Sequence, residues 1–332
     1  MDRSFPAYYH SFHCLADACP DSCCKEWTVD VDPASAAAYR ALPGKLGDRL
    51  RQVLQDTDSG TVMTTENDRC PMWRQDGLCE IQAQLGHDAL CQVCRQFPRL
   101  RHEYGDFEEL GLELSCPEAA RLILTAPNQA TLTEHVSGGY APDYDAEIMA
   151  ILCKSRAKIL DFLDDPHYTV PQALAAMLLY GYEVQAKLDG GPTAALDPSE
   201  LLVDCAQYTG SAHMQSLFDF FKKLEILTDR WKARLEAGPK PCRWMPIHRA
   251  LARYFVNRYW LQAVWDYDLV CRVKLTVTAC LLISAMDGDP VETAQLFSKE
   301  IENDPDNVES ILDGAYTSPA LTDMALLGLL LS

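Results

Sequence analysis

Two cysteines lie three residues apart in the segment His87-Asp88-Ala89-Leu90-Cys91-Gln92-Val93-Cys94-Arg95, around which we expect the N-terminal fold to be built. On a short helix this spacing places Cys91 and Cys94 on one face. Pro98 follows closely and would end the helix. Two thiols on one face can bind the same metal ion, so the segment predicts a metal-binding unit.

Further cysteines occur in clusters in the same part of the chain. Nine of the 14 cysteines in the 332-residue sequence fall within residues 1–116. A disulfide framework suits a short secreted chain, whereas a cytoplasmic protein with a large core favours metal ligation. The predicted ligands are Cys14, Cys19, Cys23, Cys24, Cys70, Cys79, Cys91, Cys94 and Cys116.

The residues around these cysteines predict turns and helix starts. Cys19-Pro20-Asp21-Ser22-Cys23-Cys24 is a turn-rich loop, because Pro fixes one backbone angle and Asp and Ser bond to nearby backbone groups. Ser115-Cys116-Pro117-Glu118 predicts a helix start, with Ser and Glu at the spacing of a capping box. At that start the helix dipole would favour the thiolate of Cys116, which is the form that binds metals.

Two kinds of metal centre fit these cysteines. Zinc takes four ligands, often in close pairs, and Cys91 and Cys94 form one such pair, but the earlier cysteines lack this regular spacing. A 4Fe-4S cluster also uses four thiolates and tolerates irregular spacing, so we favour iron and sulfur and keep zinc as the alternative. His13 and His87 stay outside the predicted set, because a lone histidine near a loop is more often a surface residue.

The composition is strongly acidic. The chain has 29 Lys and Arg against 48 Asp and Glu, which gives a formal net charge of −19. This charge repels a phosphate backbone and therefore disfavours nucleic acid as a partner. It attracts cationic partners, such as a lysine-rich protein surface or a small cationic cofactor.

The N-terminal residues and the apolar stretches bear on location. Met1-Asp2-Arg3-Ser4-Phe5-Pro6 lacks the apolar core of a secretory signal, so we expect a cytoplasmic protein. The most apolar stretches, residues 275–286 and 324–331, are shorter than the roughly 20 residues that a membrane-spanning helix needs. We expect both to be buried helices and predict no membrane partner.

We predict a mainly α fold with two domains. A cysteine-rich metal-binding domain with short strands covers residues 1–126, and an all-helical domain covers residues 127–332. Predicted strands cover residues 27–31, 100–104 and 109–114, the last two as a hairpin. Predicted helices cover residues 33–55, 143–163, 171–188, 198–237, 245–265, 269–286, 291–303 and 308–331.

The later part offers weaker candidates for a binding site. Arg249, Arg253 and Asn257 lie at four-residue steps of one predicted helix and would share a face. That face could bind a cofactor carboxylate or an acidic helix, or it could be an ordinary solvated face. Expected core residues include the aromatic side chains Tyr254, Phe255, Tyr259, Trp260, Trp265 and Tyr267. Inert thiols are expected at Cys153, Cys205, Cys242, Cys271 and Cys280.

Several motifs carry a resemblance to known proteins. Cys70-Pro71-Met72-Trp73, then Asp76-Gly77-Leu78-Cys79-Glu80-Ile81, then Cys94-Arg95-Gln96-Phe97-Pro98, following the Cys23-Cys24 pair, resemble the zinc- or iron-chelating domain named for its CxxCxxCC motif. Residues 91–99 followed by Leu112-Glu113-Leu114-Ser115-Cys116-Pro117-Glu118-Ala119-Ala120-Arg121 are similar to the flagellin lysine N-methylase family. The match covers about the first 125 residues well and the later helices only loosely.

This resemblance implies an enzyme, a protein-lysine N-methyltransferase. It implies methyl transfer from S-adenosylmethionine to lysine side chains of flagellin, with an iron-sulfur cluster in the cysteine-rich part. The sequence identifies no catalytic residue. A radical-type Cys-x3-Cys-x2-Cys triplet is not formed from Cys19 and Cys23, because the third position is Glu26, so we expect direct displacement. The alternative is a non-enzymatic iron- or zinc-binding protein of the CxxCxxCC type.

Overall fold

The computed structural model describes residues 1–25, 27–67, 69–191, 197–205 and 213–331, with the side chains of 203–205 left out. Its strands are β1 (Asp2–Pro6), β2 (Val29–Val31), β3 (Leu54–Thr57), β4 (Gly60–Met63), β5 (Arg99–Glu103), β6 (Phe107–Leu112) and β7 (Thr131–His135). Its helices are α1 (Pro33–Ala41), α2 (Gly44–Val53), α3 (Glu80–Leu85), α4 (Gln92–Gln96), α5 (Pro117–Thr125), α6 (Ala146–Asp164), α7 (Val170–Leu188), α8 (Pro198–Cys205), α9 (Met214–Phe221), α10 (Asp229–Glu236), α11 (Ile247–Tyr259), α12 (Ala263–Asp266), α13 (Val270–Ser284), α14 (Pro290–Phe297), α15 (Pro305–Thr317) and α16 (Asp323–Leu331).

A mixed sheet brings together the first strand of the chain, β1, and the later strands β5, β6 and β7. Its strand order is β5-β6-β1-β7. β5 and β6 form an antiparallel hairpin, whereas β1 runs parallel to β6 and antiparallel to β7. Gly105 in the hairpin turn has a φ of 91°, a conformation that glycine adopts without steric cost.

A second sheet supports a small hydrophobic core. Its order is β2-β4-β3, and all its pairs are antiparallel. Val29 and Val31 lie on one face of β2 and are buried, while Asp30 between them is exposed. The small core comprises Val29, Val31, Ala36, Tyr39, Leu46, Leu50, Val53, Met63, Cys70, Met72, Ile81, Leu90 and Cys91.

A much larger cluster of buried hydrophobic residues, the large core, extends from Phe5 to Leu330. α13 lies at its centre, because all 15 of its residues are buried. Helices α7, α11 and α15 pack around α13. Leu112 and Cys116 also belong to the large core, so the cysteine-rich part contributes to both cores.

Several helices around the large core begin at side-chain caps. Thr169 and Gln172 form a capping box at the start of α7. Asp145, Asp289 and Asp304 accept backbone N–H bonds at the starts of α6, α14 and α15. These caps satisfy N–H groups that have no partner inside the helix, and they fix where each helix begins.

The mainly α prediction is confirmed. The predicted hairpin corresponds to β5 and β6, and the predicted helices over 143–163, 171–188 and 269–286 correspond to α6, α7 and α13. The apolar stretch 275–286 is buried and covers the second half of α13 and the two residues after it. The stretch 324–331 lies in α16, where residues 326–330 are buried but Met324 is 52% exposed. In the described part of the chain, no helix combines the length and apolar composition needed to cross a membrane.

Three predicted helices are wrong because the chain interrupts them. Residues 198–237 form α8, α9 and α10, with 206–212 outside the described residues, and extended Thr228 caps α10. Residues 308–331 are divided between α15 and α16, with Pro319 in the break. Residues 33–55 are divided by Leu42, because the residue before Pro43 disfavours helical angles.

Two further expectations for the later part need correction. β7 lies beyond residue 126, in the segment predicted to be all-helical, because it completes the mixed sheet beside β1. Trp265 and Tyr267 are 49% and 44% exposed and lie outside the core, because the short helix α12 ends there at the surface. The domain division at residue 126 stays a prediction.

Candidate metal centre

Three of the nine predicted ligands immediately precede a helix. Cys79, Cys91 and Cys116 are the N-cap residues of α3, α4 and α5. Backbone N–H groups of the first turn lower the pKa of these thiols, for example those of Ile81 and Gln82 for Cys79, although burial raises it overall. Such donors favour the thiolate, so the local backbone suits metal ligation.

Backbone pairing brings separated cysteine segments together. The Cys70 N–H donates to the Cys24 carbonyl over 2.6 Å. Cys79 forms an isolated antiparallel bridge with Trp73, close after Cys70. These contacts place three cysteine segments side by side at the edge of the small core.

Asp32 fixes the segment that carries Cys91. Its carboxylate accepts the Ser35 N–H over 3.0 Å at the start of α1 and the Gln92 N–H over 2.8 Å at the start of α4. These hydrogen bonds lower the pKa of Asp32 to about 2. One side chain therefore sets the position of α4 against β2 and α1.

The nine thiols form two electrostatically linked groups that share Cys23. The first group lies beside the large core and contains Cys14, Cys19, Cys23 and Cys116. The second lies beside the small core and contains Cys23, Cys24, Cys70, Cys79, Cys91 and Cys94.

Two cysteine pairs within the second group influence each other's pKa. Hydrogen bonding with Cys24 lowers the pKa of Cys23 below the ordinary thiol value, and hydrogen bonding with Cys94 does the same for Cys91. The pKa values of the donors Cys24 and Cys94 are raised by these same bonds. Cys91 is the extended N-cap residue of α4 and Cys94 lies in the helix, so both are at the start of this short helix.

The donor set fits a metal by its chemistry. All 13 cysteines whose side chains are described are free thiols. Thiolates are the ligands of both zinc and iron-sulfur clusters. However, within the described residues no three or more His, Cys, Asp or Glu side chains are arranged to hold a metal ion. The nine cysteines therefore stay predicted ligands.

The thiolate expected at Cys116 stays a prediction. Burial raises the pKa of its thiol to about 12, although the N–H groups of Ala119 and Glu118 act in the opposite direction. The predicted capping box is not formed, because Cys116 is the N-cap and the Ser115 hydroxyl donates to Glu113 over 2.9 Å.

A buried ion-pair cluster ties the Cys19–Cys24 loop to the helices. Asp21 lies 2.8 Å from the Lys25 ammonium and 3.1 Å from that of Lys299. Gln295 donates to Asp21 over 3.2 Å and to the Ser115 carbonyl over 2.7 Å. Burial alone would raise the pKa of Asp21, but its contacts with Lys25 and Lys299 lower it to about 2.

Lys299 lies on an irregular turn of its helix. α14 continues as a π-helical turn over Ser298–Glu302, and all five residues of this turn are buried. Such turns occur often at functional sites. The Lys299 ammonium lies 5.1 Å from the centre of the Trp27 ring.

A cavity of about 420 Å³, the cysteine-side cavity, lies between the second cysteine group and this turn. Cys23 and Cys94 open onto it, and Trp27 and Phe97 form an aromatic wall with ring centres 6.3 Å apart. Glu113 also lines it, and burial raises the pKa of this carboxyl group. The remaining lining residues are Thr28, Val93, Glu225, Leu227, Lys299, Glu300, Asn303, Asp304 and Pro305.

A second cavity of about 200 Å³, the arginine cavity, lies between the mixed sheet and helices α6 and α11. Arg253 and Asn257 line it, together with Arg156 and Arg258. Arg249 has a different role, because it donates to the backbone carbonyls of Leu163 and Tyr168. Arg253 lies 3.0 Å from Asp164, which is half exposed.

A buried polar network connects the arginine cavity to the π-helical turn. Glu302 lies 3.1 Å from Arg258 and accepts hydroxyl bonds from Tyr254 over 3.1 Å and Tyr259 over 2.9 Å. Arg258 also donates to the Tyr254 hydroxyl over 2.9 Å. The charge of Arg258 is therefore neutralised inside the protein.

Sequence patterns did not identify the residues between the cysteines and the helices. The sequence predicts an ordinary helix for Lys299, Glu300 and Glu302. It predicts only a turn at Asp21. The available signal was a run of charged residues, Ser298-Lys299-Glu300-Ile301-Glu302, inside an otherwise apolar helical region. The sequence does not show that Asp21 would face Lys299, because the two are far apart along the chain.

Comparison of the sequence with known proteins identifies a family. The flagellar biosynthetic protein FliU of Salmonella muenchen is 31% identical to this chain over 145 residues, which are 40% of this chain and 82% of that relative. Two proteins named lysine-N-methylase, from Salmonella typhimurium and Salmonella choleraesuis, are each 27% identical over 213 residues. This chain belongs to the flagellin lysine N-methylase family.

Similarity to the two lysine-N-methylases of this family covers 58% of this chain. The chain spans about half the length of these two relatives, since the match covers 50% of each. No family model matches the sequence, and no solved structure matches it.

Proposed function

We propose that this chain is a protein-lysine N-methyltransferase that transfers methyl groups from S-adenosylmethionine to lysine side chains of flagellin in the cytoplasm. The observation that carries this proposal is the similarity to two lysine-N-methylases over 213 residues. The name of the flagellar relative supports flagellin as the substrate. The net charge of −19 favours encounter with a lysine-rich protein and disfavours nucleic acid.

We further propose a 4Fe-4S cluster, with zinc as the alternative, held by thiols of the nine predicted cysteines. Support comes from the convergence of these thiols in two groups and from their free state. When bound, the metal centre would supply folding free energy to the cysteine segments. Radical chemistry is not part of the proposal.

Arg253 and Asn257 are the proposed contacts for the carboxylate of S-adenosylmethionine. Both line the arginine cavity, where Arg156 is paired with Glu109 and Arg258 with Glu302, so Arg253 is the cation that would meet a bound anion. Arg249 contributes less to this proposal, because two carbonyls already accept its hydrogen bonds. The carboxylate group would compete with Asp164 for Arg253.

Methyl transfer requires the acceptor lysine to be in its neutral form. A lysine amine attacks the methyl carbon only when it is neutral, whereas its ordinary pKa is about 10.4. A partly desolvated site lowers the pKa of an amine and so provides the reactive form. A cavity below the surface is therefore a better acceptor site than the open surface.

The direct test is methyl transfer by the purified protein. Anaerobically prepared protein is incubated with S-adenosylmethionine labelled in the methyl group and with flagellin, and modified lysines are mapped by mass spectrometry. We expect label on lysine nitrogens of flagellin and none on flagellin whose lysines were acetylated beforehand. Absence of label with intact protein would contradict the proposal. Absence of S-adenosylmethionine binding as well would favour the non-enzymatic metal-binding alternative.

A further inference from the structure

The cysteine-side cavity has the lining of a site for an organic cation. Among the described residues, four carboxylate groups line it against one ammonium group, that of Lys299. The ammonium is itself paired with Asp21 over 3.1 Å, outside the lining set. The carboxylate residues are Glu113, Glu225, Glu300 and Asp304.

Two of these carboxylates are committed to the fold and two remain for a ligand. Glu300 accepts the Leu227 N–H over 2.8 Å and also bonds to Thr228, and Asp304 caps α15. Glu113 accepts one hydroxyl bond, from Ser115, and Glu225 is exposed at the rim. A carboxylate that is half-buried in a cavity attracts a cation more strongly than one in open water.

The aromatic wall also suits an alkylammonium group. Trp27 already holds one such group, because the Lys299 ammonium lies 5.1 Å from its ring centre. Phe97, Val93 and Leu227 add apolar surface that would cover the methylene groups of a lysine side chain. The cavity therefore offers both an apolar wall and a carboxylate.

We propose that the cysteine-side cavity binds a lysine side chain of the substrate protein other than the acceptor, with Trp27 and Phe97 covering its methylene groups and Glu113 pairing with its ammonium group. This inference rests on the proposed methyltransferase function and names the substrate site for it. It places the bound ammonium group in the cavity onto which Cys23 and Cys94 open.

The test compares two uncomplicated probes that differ in one charged group. Nα-acetyl-lysine methylamide and Nα-acetyl-norleucine methylamide are titrated into the full chain at low ionic strength, and binding is followed by ligand-observed NMR. We expect the lysine probe to bind roughly tenfold more tightly, because the cavity supplies a carboxylate in a partly desolvated setting. Equal affinity for the two probes would overturn the proposal.

Variants locate the binding. Glu113→Gln keeps the oxygen that accepts the Ser115 hydroxyl, so we expect an unchanged thermal midpoint and a loss of the preference for the lysine probe. Glu225→Gln at the exposed rim provides a second variant in case the first fails to fold. Glu309→Gln, exposed on α15 and outside the cavity lining, is the matched control and should bind like the unmodified chain. Unchanged preference in both cavity variants would overturn the proposal.

A third measurement separates this site from the proposed function itself. Lysine-probe binding that depends on Glu113, without methyl transfer to flagellin, would contradict the enzyme and retain the site. Methyl transfer that proceeds in Glu113→Gln with an unchanged KM for flagellin would contradict the site and retain the enzyme.

Discussion

Cys91 and Cys94 provide the most specific residue-scale test of metal ligation. Both lie at the start of α4, so replacing both by serine removes two neighbouring donors. We expect the double variant to lose the visible absorption of an iron-sulfur cluster and most of its bound iron, and to unfold at lower temperature. Iron content and thermal unfolding are measured on anaerobic samples.

The control for this variant is Cys242→Ser. Cys242 is half-buried in the helical part, outside the two thiol groups. We expect its replacement to leave the metal content unchanged. If the double variant kept all its metal, Cys91 and Cys94 would not be ligands.

Glu302 provides a second residue-scale prediction. Its side chain is fully buried and holds Arg258, Tyr254 and Tyr259 together. Glu302→Gln leaves the Arg258 charge buried without a carboxylate partner, so we expect a loss of about 3 kcal/mol in the free energy of unfolding. Tyr259→Phe removes one hydrogen bond only and should cost about 1 kcal/mol. Chemical denaturation measures both, and equal losses would contradict this account of the network.

Residue types and spacing predicted that Cys91 and Cys94 lie together at the start of a short helix, because such neighbours are close without help from the rest of the fold. For Cys116 the local pattern covers only part of the environment of the thiol. Its helix start was located correctly, but its burial in the large core raises the pKa of the thiol more than the helix lowers it. Burial depends on residues far along the chain, which local patterns do not show.

At the scale of elements, Asp32 joins two helices to a strand. It caps α1 through Ser35 and fixes the start of α4 through Gln92. We expect Asp32→Ala to lower the free energy of unfolding by about 1 kcal/mol, the usual value for a lost N-cap. Asp32→Asn should retain most of this stability, since asparagine caps helices nearly as well as aspartate.

The capping contribution of Asp32 should depend on pH. Its pKa is lowered from 3.8 to about 2 by its hydrogen bonds, so the charged form stabilises the fold above pH 3.8. This stabilisation is lost as the pH falls through about 2. The difference in free energy of unfolding between the unmodified chain and Asp32→Asn should therefore shrink over that interval. A difference that stays constant would contradict the assigned role of the carboxylate.

The elements that the sequence predicted correctly are those with a local signal. The β5-β6 hairpin has alternating residues around Gly105, and α6, α7 and α13 have long apolar periodicity. β1 and β7 have no such local signal. β1 pairs with β6 and with β7, in both cases across a long separation in sequence. The interruption at residues 222–228 carries neither proline nor glycine, so the helical pattern appeared continuous.

At the scale of the whole molecule, the two cores should respond differently to loss of the metal centre. The small core contains the predicted ligands Cys70 and Cys91. Helix α13, at the centre of the large core, contains none of the predicted ligands. In the Cys91→Ser, Cys94→Ser variant we expect faster hydrogen exchange over residues 29–91 and unchanged exchange in α13. Hydrogen-exchange mass spectrometry measures both, and equal loss of protection would show that the cores unfold as one unit.

The overall class of fold was predictable, because long apolar periodicity and clustered cysteines are properties of the sequence. The junction between the parts was not. Asp21, Lys299 and the cysteine-side cavity exist only because the Cys19–Cys24 loop packs against the π-helical turn. Neither segment indicates the other as its neighbour.

The most direct measurement of the central claim is the iron and acid-labile sulfide content of the anaerobically purified chain. If the nine N-terminal cysteines hold a 4Fe-4S cluster, iron and sulfide should be present at about four each per chain and should disappear in the Cys91→Ser, Cys94→Ser variant. A folded chain with neither iron nor sulfide bound would contradict the account.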